Sequence, residues 1–374
     1  MKKIIIQYTS NLCQRVEDLF SIQLWIEAGY EIEYWDLSAI TFQERLAPIH
    51  IEGLKERVIA TNSQYDVSVK RVAKESFFLM WFGFCAKTEF IFRIMSKYHA
   101  EFGVICNGLL PTVVSQSHKI TLKRLKNSCR ERYYSLIQYT PLYKPATFSF
   151  ITASAGKPRY KVDERTIHAK CNSGDYEAML RLSGRNICGK DYFLFLDQYI
   201  PFHNDTCIAG NKPIDAERYF KSLNEFFDGI EKAYGMPVII AAHPSAKRYE
   251  TDNPFNGREY VFNKTMELAS QCRAIITHFT TAISSAVVYN KPSILLSSDE
   301  LITLRSNQYV YMQALHEELG APIINMDHPD ESSFEIPVVN TEKYKEYKYK
   351  YLTNPETENT NNFINISSVI NKIC

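Results

Sequence analysis

The chain has 374 residues, 45% of them apolar and 23% charged, with 43 Lys and Arg against 42 Asp and Glu. That length suits two domains, the apolar fraction excludes a disordered chain, and a net charge of +1 argues against a protein whose whole work is gripping nucleic acid. The nine cysteines stand singly, with no CxxC pair, which argues against a disulfide framework or a zinc site and reads as reduced thiols in a cytoplasmic protein.

The apolar part of MKKIIIQYTS is too short for a signal peptide and predicts a buried parallel strand, KKIIIQY. A polar turn, Thr9 to Asn11, follows. Val16, Leu19, Phe20, Leu24, Trp25 and Ala28 then recur at helical spacing and predict one helix, stopped by Gly29. EIEYWDL is the next strand, so the opening reads as a βαβ unit with a right-handed crossover and a parallel sheet. No GxGxxG follows the first strand, and no dinucleotide cofactor is expected there. YDVSVKRV and the Phe77–Met95 region alternate between apolar runs and amphipathic helix. The most hydrophobic window, FFLMWFGFCA (Phe77–Ala86), is too short to span a bilayer and reads as a buried helix. EFGVICNGLLP is a strand leaving at Asn107-Gly108.

From Ser115 to Lys144 the chain is basic: His118, Lys119, Lys123, Arg124, Lys126, Arg130, Arg132 and Lys144, with Leu122, Leu125 and Cys129 on one helical face. The plainer reading is a solvated basic surface. The functional one is a surface facing an anionic lipid leaflet or a diphosphate-linked acceptor. Residues 145–190 are rich in proline, glycine, serine and charge, and the passage between domains is placed there. The expected division is 1–185, 186–345, and a C-terminal segment 346–374 that returns to the first domain. The second half starts afresh with a strand over Tyr192–Leu196. A helix over Ala216–Tyr234, the strand VIIAA, a short strand in REYVF, a helix over Thr265–Cys272 and the stretch AIITHFTTAISSAVVYNKPSILL follow. The tail TEKYKEYKYKYLTNP reads as a solvated helix with aromatic anchors.

The groups that could do chemistry cluster at predicted strand ends. Pro244 disfavours the helical region for His243 and keeps it extended at a strand tip, where an imidazole can donate to a phosphate oxygen; Lys247 follows closely. Thr280, Thr281 and Ser284 lie where a loop turns into a helix, a place suited to an anion. Ordinary capping would need only one hydroxyl, and TTAISS offers four. Asp197 ends a strand and is the candidate acid/base or acceptor-orienting group. His203 and Asp205 share its loop and read equally well as turn-formers. Asp175 and Asn107 are weaker candidates near the expected cleft. There is no GxxxxGK[ST], HExxH, GxSxG or DxD, so no metal is expected, and no repeat period is evident.

Two Rossmann-like halves, a His-Pro after a strand of the second half and a later strand leading into a hydroxyl pair resemble the GT-B glycosyltransferases. Within these the pattern is similar to bacterial enzymes that use CMP-activated sugars, the sialyltransferase and Kdo-transferase-like group. FLDQYIPFHND and THFTTAISSAVVYNKP also resemble uncharacterised proteins of O-antigen and capsule clusters. The resemblance implies an α/β GT-B fold, two Rossmann-like domains facing a central cleft. It implies a nucleotide-sugar donor held by His243, Pro244, Thr280 and Thr281, with a lipid-linked or glycan acceptor. The Asp/Glu-Asp/Glu-Gly motif that supplies the sialyltransferase base has no counterpart; Asn107-Gly108 lacks the acid and Asp197 lacks the context. The expectation is a cytoplasmic glycosyltransferase of bacterial surface polysaccharide synthesis, with possible peripheral contact with the inner membrane surface. Polyol-phosphate transfer of the teichoic-acid type, a non-catalytic scaffold and a sugar-nucleotide epimerase of two Rossmann domains, which would convert donor without acceptor, are the alternatives.

Overall fold

The computed structural model describes residues 3–42, 45–106, 111, 122–182, 191–202 and 212–372, with backbone alone at 122–128 and 306–307. The chain divides into two compact units, one comprising 1–109, 117–177 and 349–374, the other 110–116 and 178–348.

The first unit is built on seven strands: β1 (Lys3–Tyr8), β2 (Ile32–Asp36), β3 (Lys55–Val58), β4 (Ser76–Met80), β5 (Glu101–Cys106), β6 (Phe148–Thr152) and β7 (Ile167–Cys171). They are ordered β3-β2-β1-β4-β5-β6-β7, and every pairing is parallel. A sheet of this kind is covered on both faces, which is why its central strands are unbroken apolar runs. Ile4 and Ile6 of β1 enter one core and Ile5 the other.

The same reasoning corrects the expected buried helix at Phe77–Ala86. Ser76–Met80 is the central strand β4, with Phe77 and Leu79 in one core and Phe78 and Met80 in the other. Periodicity cannot separate a short apolar run in a buried strand from one in a buried helix. The single helix expected over Val16–Ala28 is two, Gln14–Phe20 and Ile22–Glu27, broken at Ser21, whose φ is 50°. The break is stabilised locally: the Glu17 carboxylate accepts from the Ile22 N–H at 2.8 Å, and the Trp25 indole donates to the Phe20 carbonyl at 3.0 Å.

The end of the chain is fastened to this unit by buried amides. Asn362 donates to the carbonyls of Leu19 (2.8 Å) and Asn172 (3.0 Å), and its Oδ1 accepts from the Asn172 N–H at 2.7 Å. Thr353 donates to Asn172 Oδ1 at 2.6 Å. Phe363, on the helix Asn362–Ile370, meets Trp25 edge-on at 5.1 Å.

The second unit holds six strands: β8 (Phe193–Leu196), β9 (Val238–Ala242), β10 (Tyr260–Phe262), β11 (Ala274–Thr277), β12 (Ser293–Ser297) and β13 (Ile323–Asn325). Their order is β10-β9-β8-β11-β12-β13, again all parallel. The helix Ala216–Tyr234 runs between β8 and β9. Asp215 caps it by accepting from the Glu217 and Arg218 N–H groups, and Gly235 ends it in the left-handed region at φ 66°. Its buried face, including Leu223, Phe226, Phe227 and Ile230, closes one core over the sheet. Both sheets reverse their strand order beside their first strand. In a doubly wound sheet that reversal is where ligands bind, beyond the carboxyl ends of the strands.

Candidate functional site

In the second unit the reversal falls between β8 and β11, and the expected residues converge on it. Asp197 follows β8, His243 follows β9, and Thr280 lies three residues past β11. With neighbouring parallel strands about 4.8 Å apart, the tips of β9 and β11 stand roughly 10 Å apart with Asp197 between them.

Asp197 is 8% exposed. Its Oδ1 accepts from the Tyr199 N–H at 2.9 Å and its Oδ2 from the His243 N–H at 3.2 Å. The buried Tyr249 hydroxyl lies beside the carboxylate without a regular hydrogen bond to it. Burial pushes the Asp197 carboxyl up to about 6, against the opposing pull of those backbone donors. A carboxylate committed to two backbone amides is a holding group: it ties the loop after β8 to the turn after β9. Beside the acid/base or acceptor-orienting role proposed for it, Asp197 therefore has a positioning role.

The held turn carries His243. The Ala246 N–H donates to the His243 carbonyl at 2.9 Å, closing a tight turn through the half-buried Pro244. The Ser245 N–H donates to His243 Nδ1 at 3.2 Å. A backbone amide can only donate, so Nδ1 accepts and the neutral ring carries its proton on Nε2. His243 is thus set as an Nε2–H donor. Tyr199 runs parallel to it, with ring centroids 6.5 Å apart and planes 6° apart. Tyr199 has φ 54°, an uncommon backbone conformation for a bulky residue and of the kind found at ligand sites. Lys247 is exposed at the start of the next turn. Arg248 lies 4.4 Å over the Phe202 ring and pairs with Asp252 at 3.5 Å.

Beyond β11, the Thr280 Oγ1 accepts from the Ala282 N–H at 3.2 Å. That capping contact uses a lone pair and leaves the hydroxyl proton able to donate, so cap and ligand roles coexist in one side chain. Thr281 is exposed. Ser284 is buried, 1% exposed. Asp175 belongs to the first unit, in the opening turn of the helix Gly174–Leu182. Asn107, His203 and Asp205 lie outside the described residues.

Two residues that the sequence did not single out complete the site. Gln198 donates to the Phe279 carbonyl at 3.1 Å and accepts from the Phe279 N–H at 2.8 Å, clamping the loop after β8 to the loop after β11. His278 is fully buried. Its Nδ1 must donate to the Leu296 carbonyl at 2.7 Å, so Nε2 accepts from the Tyr219 hydroxyl at 2.8 Å. Burial holds His278 down at about 4, neutral near pH 7. The available signal was adjacency: Gln198 follows Asp197 directly, and His278 sits between β11 and the hydroxyl turn.

A cavity of about 700 Å³ opens beside Arg248 and Tyr249, lined also by Phe202, Phe220, Asn224 and Asp252. It lies against the helix Ala216–Tyr234 and not at the strand tips, and it is not assigned to the phosphate-binding group. Among the described residues no group of three His, Cys, Asp or Glu side chains could hold a metal ion.

Two doubly wound parallel sheets, each with its crevice at a strand-order reversal, define the two-Rossmann-domain GT-B fold. Solved structures share it. The UDP-GlcNAc 2-epimerase of Methanocaldococcus jannaschii is 13% identical, with a TM-score of 0.51 over 100% of this chain and 99% of that one. The wall teichoic acid polymerase TagF is 11% identical, with a TM-score of 0.54 over 100% of this chain and 88% of that one. No family model and no curated protein matches the sequence. At these identities the likeness is one of fold.

Proposed function

We propose that the chain is a glycosyltransferase that takes a sugar from a nucleotide donor bound at the second unit. The observation that carries the reading is the pairing of a fixed Nε2–H donor, His243, with a hydroxyl turn at Thr280 and Thr281 across the reversal point of the sheet. Such donors stabilise charge as it grows on a departing phosphate, with the exposed Lys247 adding long-range attraction. CMP-sugars are the first donors to test, on the resemblance of the His-Pro and hydroxyl pair to enzymes that use them. A lipid-linked or glycan acceptor in surface polysaccharide synthesis, such as O-antigen or capsule, completes the proposal. The transfer is proposed to need no metal, on the absence of a DxD motif.

Thermal-shift measurements against CMP, CDP, UDP and GDP test it, because a ligand of the folded state raises the melting temperature. One nucleotide should stand out, and His243→Ala should remove its shift and lower donor turnover by on the order of a hundredfold. Turnover should persist in a metal chelator. A chain that binds no nucleotide with its fold intact would point to a non-catalytic scaffold. The shared fold of a wall teichoic acid polymerase supports a second reading, transfer of a polyol phosphate. Product mass separates the two: a gained sugar against a gained phosphate ester.

A further inference from the structure

The helix Leu122–Ile137 is set against the first unit the wrong way round for a solvated basic helix. Its inner side is formed by Tyr134, 6.2 Å from Phe84, and by Ile137, which packs on the core beneath. A second apolar stripe points outward. Cys129, Tyr133 and Leu136 follow one another at helical spacing and are exposed, Tyr133 by 56% and Leu136 by 65%. Tyr139 and Leu142, just beyond the helix, are exposed as well, by 62% and 63%. The helical face that the spacing predicts for Cys129 is thus an exposed one at that residue.

Exposed apolar residues scattered singly need no explanation, but a contiguous stripe does. Its setting indicates what covers it. Between Ser117 and Lys144 the sequence carries seven Lys or Arg and one acidic residue, Glu131, in a chain whose net charge is only +1. The described cations of the helix, Arg130 and Arg132, are exposed on either flank of the stripe. An apolar aromatic stripe edged by cations is the surface that lies in a lipid interface and is drawn there by anionic headgroups. Among the described residues no helix is long and apolar enough to cross a membrane, so the contact is one of lying on the surface.

We propose that the segment 129–142 docks the first unit onto an anionic lipid surface, with Tyr133, Leu136, Tyr139 and Leu142 entering the headgroup region and Arg130 and Arg132 pairing with headgroup phosphates. The proposal stands apart from the nucleotide site and from the reaction it performs.

Flotation with vesicles of phosphatidylcholine, with and without phosphatidylglycerol, tests it on the full chain. Binding is expected to the anionic vesicles and to weaken in high salt. Arg130→Glu with Arg132→Glu should lower partitioning by more than about fivefold for each cation lost. Tyr133→Ser with Leu136→Ser should lower it by at least about tenfold, while Val338→Ser, at an exposed apolar position of the second unit, should change nothing. Without any variant, amide exchange over 129–142 should slow when anionic vesicles are added to the wild-type chain. Equal binding to neutral vesicles, no binding at all, or unchanged exchange in this segment overturns the proposal. So does a wild-type dimer that the Tyr133→Ser, Leu136→Ser change dissociates, which would assign the stripe to a second copy of the chain.

Discussion

Asp197 and His278 are buried titratable groups whose shifts have opposite consequences for stability. The carboxyl of Asp197 is raised to about 6, so between its ordinary value and 6 the folded state holds more protons than the unfolded one, and stability falls as pH rises through that window. His278 is lowered to about 4. The unfolded state takes up its proton first, and the stability of the neutral buried ring is lost as pH falls from about 6.5 towards 4. Over pH 4 to 6 the two contributions offset one another. Asp197→Asn removes one of them. The unfolding free energy of the wild type minus that of the variant should fall by about 2 kcal/mol between pH 4 and pH 6.5. Urea melts across that range measure it, and a flat difference would show that Asp197 ionises without penalty. His243 is distinct: its ring is oriented by a backbone N–H from Ser245, so its replacement should alter ligand binding far more than folding.

At the scale of elements, the site depends on two ties between loops. Asp197 joins the loop after β8 to the turn after β9, and Gln198 joins it to the loop after β11. Consecutive residues thus tie their loop to both of its lateral neighbours. Gln198→Ala removes both bonds to Phe279 and should cost about 1–2 kcal/mol. It should also raise amide exchange at Phe279 and Thr280 while leaving β8 protected; unchanged exchange there would mean the loop holds its shape without the clamp. The Ser21 break has the same character. No periodicity announces it, because Leu19, Phe20, Leu24 and Trp25 keep an apolar pattern across it, and it rests on Glu17 and Trp25 satisfying the freed backbone groups.

At the scale of the molecule, the first unit is completed by chain distant in sequence. The tail joins the first unit through Asn172, Thr353 and Asn362, all buried. Loss of one partner strands the others without water, so Asn362→Ala should destabilise the chain by about 3 kcal/mol. Differential calorimetry should show the loss in the transition of the first unit if the two units melt separately. A change confined to the other transition would contradict the assignment.

The fold class was legible in the sequence because buried parallel strands must be apolar on both faces. KIIIQY, VIIAA and AIIT state their environment without reference to anything else, and Asp215 and Gly235 mark the ends of a helix through backbone chemistry local to each. Pro244 likewise fixes His243 at a strand tip by a local steric effect. Three-dimensional arrangement decided the rest. The run at Phe77 became a strand because its two neighbours in the sheet, β1 and β5, lie more than twenty residues away along the chain on either side. Asp197 became a holding group because the amides it accepts from include one 46 residues distant. The outward stripe of the helix Leu122–Ile137 could not be told from an inward one, since a helical repeat records that residues share a face and not which way the face is turned. Local sterics and burial are written residue by residue; partners across the sheet, and the direction a face looks, exist only once the chain has closed on itself.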